Sequence, residues 1–122
     1  MDGALFAHQA EICKALANAK RLELLHVMRE GEHTVAELQE ATGLPQTTVS
    51  QHLARLRAAG VVQRRQAGTS VFYALADSRI AQACDLVREV LASRLANEGA
   101  LARRINSTMR HVRERRTLVK AE

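Results

Sequence analysis

The stretch "QTTVSQHLARLR", residues 46–57, gathers side chains suited to one kind of chemistry. Gln46, Thr47, Thr48, Ser50, Gln51 and His52 are hydrogen-bonding groups, half of them on short side chains, set close together. A glutamine amide can pair bidentately with adenine, and a threonine methyl can lie against a thymine methyl. Hydroxyls and helix N-terminal amides can hold phosphate oxygens. Arg55 and Arg57 follow about a turn later, and Arg64, Arg65 and Thr69 lie just beyond. Arginine there suits a phosphate backbone or a minor groove. The set therefore points to double-stranded nucleic acid. Any one member alone fits an ordinary solvated surface position equally well, and His52 could instead pack against a helix beneath.

Other chemistries find no foothold. There is no Ser/His/Asp constellation, paired carboxylate, P-loop or GxGxxG, so no catalytic residues are expected. His8, His26, His33, His52 and His111 form no metal-ligand spacing, and neither a metal nor another cofactor is expected. Cys13 and Cys84 are too few for a disulfide scaffold. They read either as small apolar residues or as a matched thiol pair able to respond to oxidants, reactive sulfur or a trivalent arsenical.

Composition bounds what positions these residues. A chain of 122 residues suggests one compact domain with a modest core. Phe6, Phe72 and Tyr73 are its only aromatics, so the core must be aliphatic, which favours packed helices. The net charge of +5 favours an acidic partner. Residues 101–122 hold seven Lys/Arg against Glu114 and Glu122, which equals the charge of the whole chain. Asp2, His8, Glu11 and Lys14 interrupt the N-terminal stretch, and no apolar run approaches a membrane span. The expected location is the cytoplasm, with no membrane partner.

Periodicity places helices over residues 4–17 and 20–29, with Gly31 as the C-cap of the second. Thr34 and Glu37 have capping-box spacing and open a short helix over 35–41 that Gly43 ends. A helix begins near Pro45 with Val49, Leu53 and Leu56 on its inner face, and Gly60 closes it. Alternation in residues 61–75 around Ala67-Gly68-Thr69 reads as a β-hairpin. Asp77 can cap a long helix over 78–96 whose apolar face holds Ile80, Ala83, Cys84, Val87, Val90, Leu91 and Leu95. "NEG" at 97–99 breaks it, and the basic tail is helical in pattern. The division expected is a domain over 1–96 and a basic extension over 97–122.

A capped short helix, a glycine turn, a polar-faced helix and a basic hairpin are the parts of a winged helix-turn-helix. In this order, "ALANAKRLELLHVM" (15–28), "TVAELQEATGLPQTTVSQHLARLRAAGVV" (34–62) and "RRQAGTSVFYAL" (64–75) resemble the ArsR/SmtB repressors. The resemblance implies a mainly α fold with a small β-hairpin and a homodimer built on the first and last helices. It implies a repressor that binds a near-palindromic operator and leaves it when an inducer binds. The wide apolar faces of 4–17 and 78–96 agree with a dimer.

The family's metal sites do not carry over. The third helix lacks the C-x-C pair of the arsenic and cadmium sensors, and residues 78–96 contain no histidine for a zinc or nickel site. Cys13 and Cys84 are instead similar to the two-cysteine, persulfide-responsive members, although there the first cysteine lies one helix later. Two alternatives stay open: a metal-responsive repressor with an unrecognised site, and a winged-helix module for protein–protein contact.

Overall fold

The computed structural model describes residues 2–96, 98, 99, 101 and 103–110. Most of the basic tail, residues 111–122, lies outside the described residues. The chain forms two compact units, one up to Ala81 and one from Gln82 onward.

The first unit is built from locally specified pieces. Helix α1, Gly3–Leu16, is capped by Asp2, whose carboxylate accepts the Ala4 N–H at 2.9 Å. Asn18 caps α2, Ala19–Met28, by accepting the Arg21 N–H at 3.1 Å. Thr34 and Glu37 form the complete capping box of α3, Val35–Thr42, with bonds of 3.2 and 2.8 Å. These bonds to Thr34 hold the Glu37 carboxyl below its ordinary pKa. Gly43 then takes φ 74° and donates its N–H to the Gln39 carbonyl at 2.7 Å, so the chain reverses within three residues into α4, Gln46–Ala58.

Strands β1, Val62–Ala67, and β2, Ser70–Leu75, pair antiparallel around Gly68 and Thr69. Gly68 has φ 62° at the first loop position, which suits a tight two-residue hairpin. Beyond it, Asp77 starts α5, Arg79–Arg94. Its carboxylate accepts from the Arg79 guanidinium at 2.7 Å and from the Arg79 N–H at 2.9 Å, which lowers its pKa to about 2.

The core is aliphatic. Leu24, Met28, Leu38, Val49, Leu53, Leu56 and Val61 are fully buried in one cluster, joined by Ala15, Leu25 and Val62. Gly31 differs from the expected C-cap. The α2 cap is Arg29 in an αR conformation, and Gly31 sits at φ 131°, outside the left-handed helical region. The reason is tertiary. The chain leaves α2 through a turn and then runs extended, so that His33 can pair with Tyr73 through bonds of 2.9 and 2.8 Å.

In the second unit α5 stops at Arg94, two residues before the end expected from sequence. Gly99 has φ 88°, and residues 103–110 are helical again. Ala92 and Met109 are buried, as is Asp85, which pairs with Arg88 at 3.1 Å. Of the apolar face expected of α5, Ile80 packs half-buried against the core and Cys84 and Leu95 are half-buried, while the rest faces outward, as the face expected to meet a second chain would. Leu86, Val87, Val90 and Leu91 are exposed, and so is Ala83. No helix among the described residues is long and apolar enough to cross a membrane.

Candidate nucleic-acid interface

Helix α4 has two faces of opposite character because its apolar residues fall at i, i+4 and i+7. Val49, Leu53 and Leu56 are no more than 1% exposed and seat the helix in the core. Gln46, Thr47, Ser50 and Gln51 are exposed at i, i+1, i+4 and i+5, which makes one continuous polar face near the N-terminus. Arg57 extends this face three turns on and is also exposed. Thr48, His52 and Arg55 form a half-buried flank. Pro45 occupies the cap position and offers no side-chain hydrogen bond, so the first amides of α4 have no side-chain cap and the positive helix end remains open toward an anion.

His52 is the member of the predicted set that turns inward. Its Nδ1 lies 3.4 Å from the Arg21 guanidinium. An arginine can only donate, so this nitrogen accepts and the ring carries its proton on Nε2. Burial, and then the positive charges of Arg21 and Lys20, hold the His52 pKa below its ordinary value. Arg21 also donates to the carbonyls of Ala15 at 2.6 Å and Lys14 at 3.4 Å. One guanidinium thus satisfies the end of α1 and touches α4. Nothing in the local spacing around Arg21 marks it for this role.

The hairpin separates its two arginines. Successive strand residues face opposite sides, so Arg64 and Arg65 diverge. Arg64 is exposed and has no ion-pair or hydrogen-bond partner among the described residues. Arg65 is engaged elsewhere. Its Nε lies 3.2 and 3.0 Å from the two Glu32 oxygens, its Nη2 lies 2.8 Å from Glu32, and its guanidinium stands 4.9 Å above the Phe72 ring. Glu32 and His33, neither given this role by the sequence, therefore fix the hairpin to the segment that leads into α3. Thr69 is exposed at the tip.

The two thiols differ in exposure. Cys13 is exposed rather than turned to the core, which α1 reaches through Ala15, Ile12 and Leu16. Cys84 is half-buried on α5, and neither cysteine is in a disulfide. No group of three or more His, Cys, Asp or Glu able to hold a metal occurs among the described residues.

Comparison with known proteins agrees with this geometry. A family model described as "Bacterial regulatory protein, arsR family" matches residues 18–64. The HTH-type transcriptional regulator NmtR of Mycobacterium tuberculosis is 39% identical over 85 residues, covering 70% of this chain and 71% of that protein. Rv0324, another HTH-type transcriptional regulator of that organism, is 36% identical over 99 residues, covering 81% of this chain and 44% of its own. The chain therefore spans about half the length of some curated relatives it matches. The solution structure of a homodimeric winged helix-turn-helix DNA-binding domain from Mycobacterium bovis, a possible ArsR-family regulator, matches with a TM-score of 0.70 at 34% identity, covering 82% of this chain and 98% of that one. In helix order, hairpin and sequence, the chain belongs to the arsR family of bacterial regulatory proteins and has the winged helix-turn-helix fold.

Proposed function

We propose that this chain is a DNA-binding transcriptional repressor. A homodimer would place two α4 helices in successive major grooves of a near-palindromic operator. The observation that carries this reading is the exposed face of Gln46, Thr47, Ser50 and Gln51 on a helix held rigidly by Val49, Leu53 and Leu56. In this reading Gln51 and Gln46 read base edges, while Thr47, Thr48 and Ser50 hold phosphate and sugar beside them. Arg55, Arg57, Arg64 and Thr69 steady the backbone. Residues 1–96 form the DNA-binding and dimerisation domain, residues 97–122 a basic extension, and the site of action is the cytoplasm. The homodimeric DNA-binding domain from Mycobacterium bovis supports the same assembly.

Gel shifts over a salt series test this directly. Gln51→Ala is expected to weaken operator binding by about 1–3 kcal/mol, roughly 5- to 150-fold, with little change on random duplex. Equal affinity of the unaltered chain for operator and random duplex, or no affinity for either, would leave a protein-docking module as the better reading.

The release mechanism proposed is a thiol switch. The exposed Cys13 is open to solvent oxidants, and Cys84 on α5 is the second thiol. Hydrogen peroxide would take one hydrogen from each thiol, giving one disulfide and two waters. A persulfide or a trivalent arsenical would engage the same sulfurs. Peroxide is expected to weaken operator binding by about 5- to 150-fold, the usual range of allosteric coupling. Cys13→Ser and Cys84→Ser should each abolish that response. An unchanged response in both variants would remove the thiols from the mechanism.

A further inference from the structure

Two adjacent arginines on β1 meet opposite circumstances. Arg64 is exposed without a partner among the described residues, whereas Arg65 is forked onto Glu32 and stacked over Phe72. We infer that the wing offers only one of its two arginines, Arg64, to the DNA backbone, and that Glu32 is a specificity-determining residue that withholds Arg65. This rests on the DNA-binding reading given above.

The argument is electrostatic. Each arginine that neutralises a phosphate releases counterions and strengthens binding to every sequence alike. Such contacts raise affinity for the many random sites of a genome as much as for the operator. A carboxylate held 2.8 Å from the Arg65 guanidinium cancels its charge. For Arg65 to reach a phosphate, it must leave both Glu32 and the Phe72 ring. A bare Glu32 carboxylate would then stand near the same phosphate. The pair is exposed, so its contribution to folding is small. Its geometry nevertheless engages three nitrogen–oxygen contacts and one ring face of the guanidinium. Glu32 and Arg65 lie 33 residues apart, so the pair also sets where the hairpin stands.

Affinity for a random duplex, measured over about 50–200 mM salt, tests the inference. Glu32→Gln keeps the side-chain shape but loses the charge. It is expected to steepen the log–log salt slope by about 0.9 per wing and to tighten random-duplex binding several-fold at the lowest salt. Arg65→Met added to Glu32→Gln keeps an unbranched chain over Phe72 without baring the Glu32 carboxylate, and should return the slope to that of the unaltered chain. Arg64→Ala, the internal control, should flatten it by about 0.9 per wing. A double-variant slope flatter than that of the unaltered chain, or an unchanged or flattened slope for Glu32→Gln alone, overturns the inference while the Arg64→Ala effect keeps the DNA-binding reading intact. No binding by the unaltered chain would overturn both.

Discussion

In sedimentation, Val87→Glu is expected to shift the protein from two chain masses to one. The same variant should lose about 10²- to 10⁴-fold in operator affinity, the advantage that joining two binding units confers. The reason lies on α5. Leu86, Val87, Val90 and Leu91 fall at i, i+1, i+4 and i+5, and they are 63%, 71%, 62% and 44% exposed. A contiguous aliphatic stripe of this kind is uncommon on a monomer's surface and marks an interface. Leu5 and Phe6 on α1 are likewise exposed, at 61% and 48%. A second copy of the chain is the occupant that the proposed dimer requires. A glutamate at position 87 would have to be buried there without a partner, which is costly, and it would be buried twice because a two-fold interface repeats every contact. Since residue 87 is already exposed in the single chain, the substitution should leave its helix content and melting of secondary structure nearly unchanged. Persistence of the dimer with Glu at 87 would place the interface elsewhere.

The legible parts of this protein share one property: their cause lies within a few residues. The Thr34–Glu37 capping box, the Gly43 reversal, the inner face of α4 and the Gly68 hairpin could all be read from short spacings, because each is a local hydrogen bond, a backbone preference or a helical period. What escaped depends on distant partners. Arg65 looks identical to Arg64 in sequence, yet Glu32 occupies it from 33 residues away. The inward packing of His52 was one of two readings the sequence left open, but its partner Arg21, 31 residues earlier, was not legible. Gly31 resembled a C-cap, and the pairing of His33 with Tyr73 draws it into an extended path instead. Periodicity alone found the stripe on α5, and its width, together with the family resemblance, already directed it to a second chain; a helix packed into a core would carry the same pattern.

The division of α4 into a seat and a reading face predicts that two neighbouring substitutions have opposite signatures. Leu53 is 1% exposed within the central cluster, and α4 packs there against α1, α2, α3 and β1. Leu53→Ala removes buried methyl groups and leaves a cavity that rigid neighbours fill only in part. Its expected cost is about 2–5 kcal/mol of folding stability. In urea unfolding the midpoint should fall with little change in slope, because the surface exposed on unfolding is almost the same. Gln51 lies two residues away but is exposed, so Gln51→Ala should move stability by no more than about 0.5 kcal/mol. DNA affinity should reverse the order. Well below its midpoint, Leu53→Ala still presents Gln46, Thr47, Ser50 and Gln51 from a folded helix, and binding falls only by the fraction unfolded. Operator DNA should also raise its melting temperature, since a ligand that binds only the folded chain stabilises it by mass action. Gln51→Ala should melt like the unaltered chain and bind the operator about 5- to 150-fold less tightly. If both substitutions lowered stability and affinity in parallel, the two faces of α4 would not be separable, and the polar face would be part of the fold rather than the surface that meets DNA.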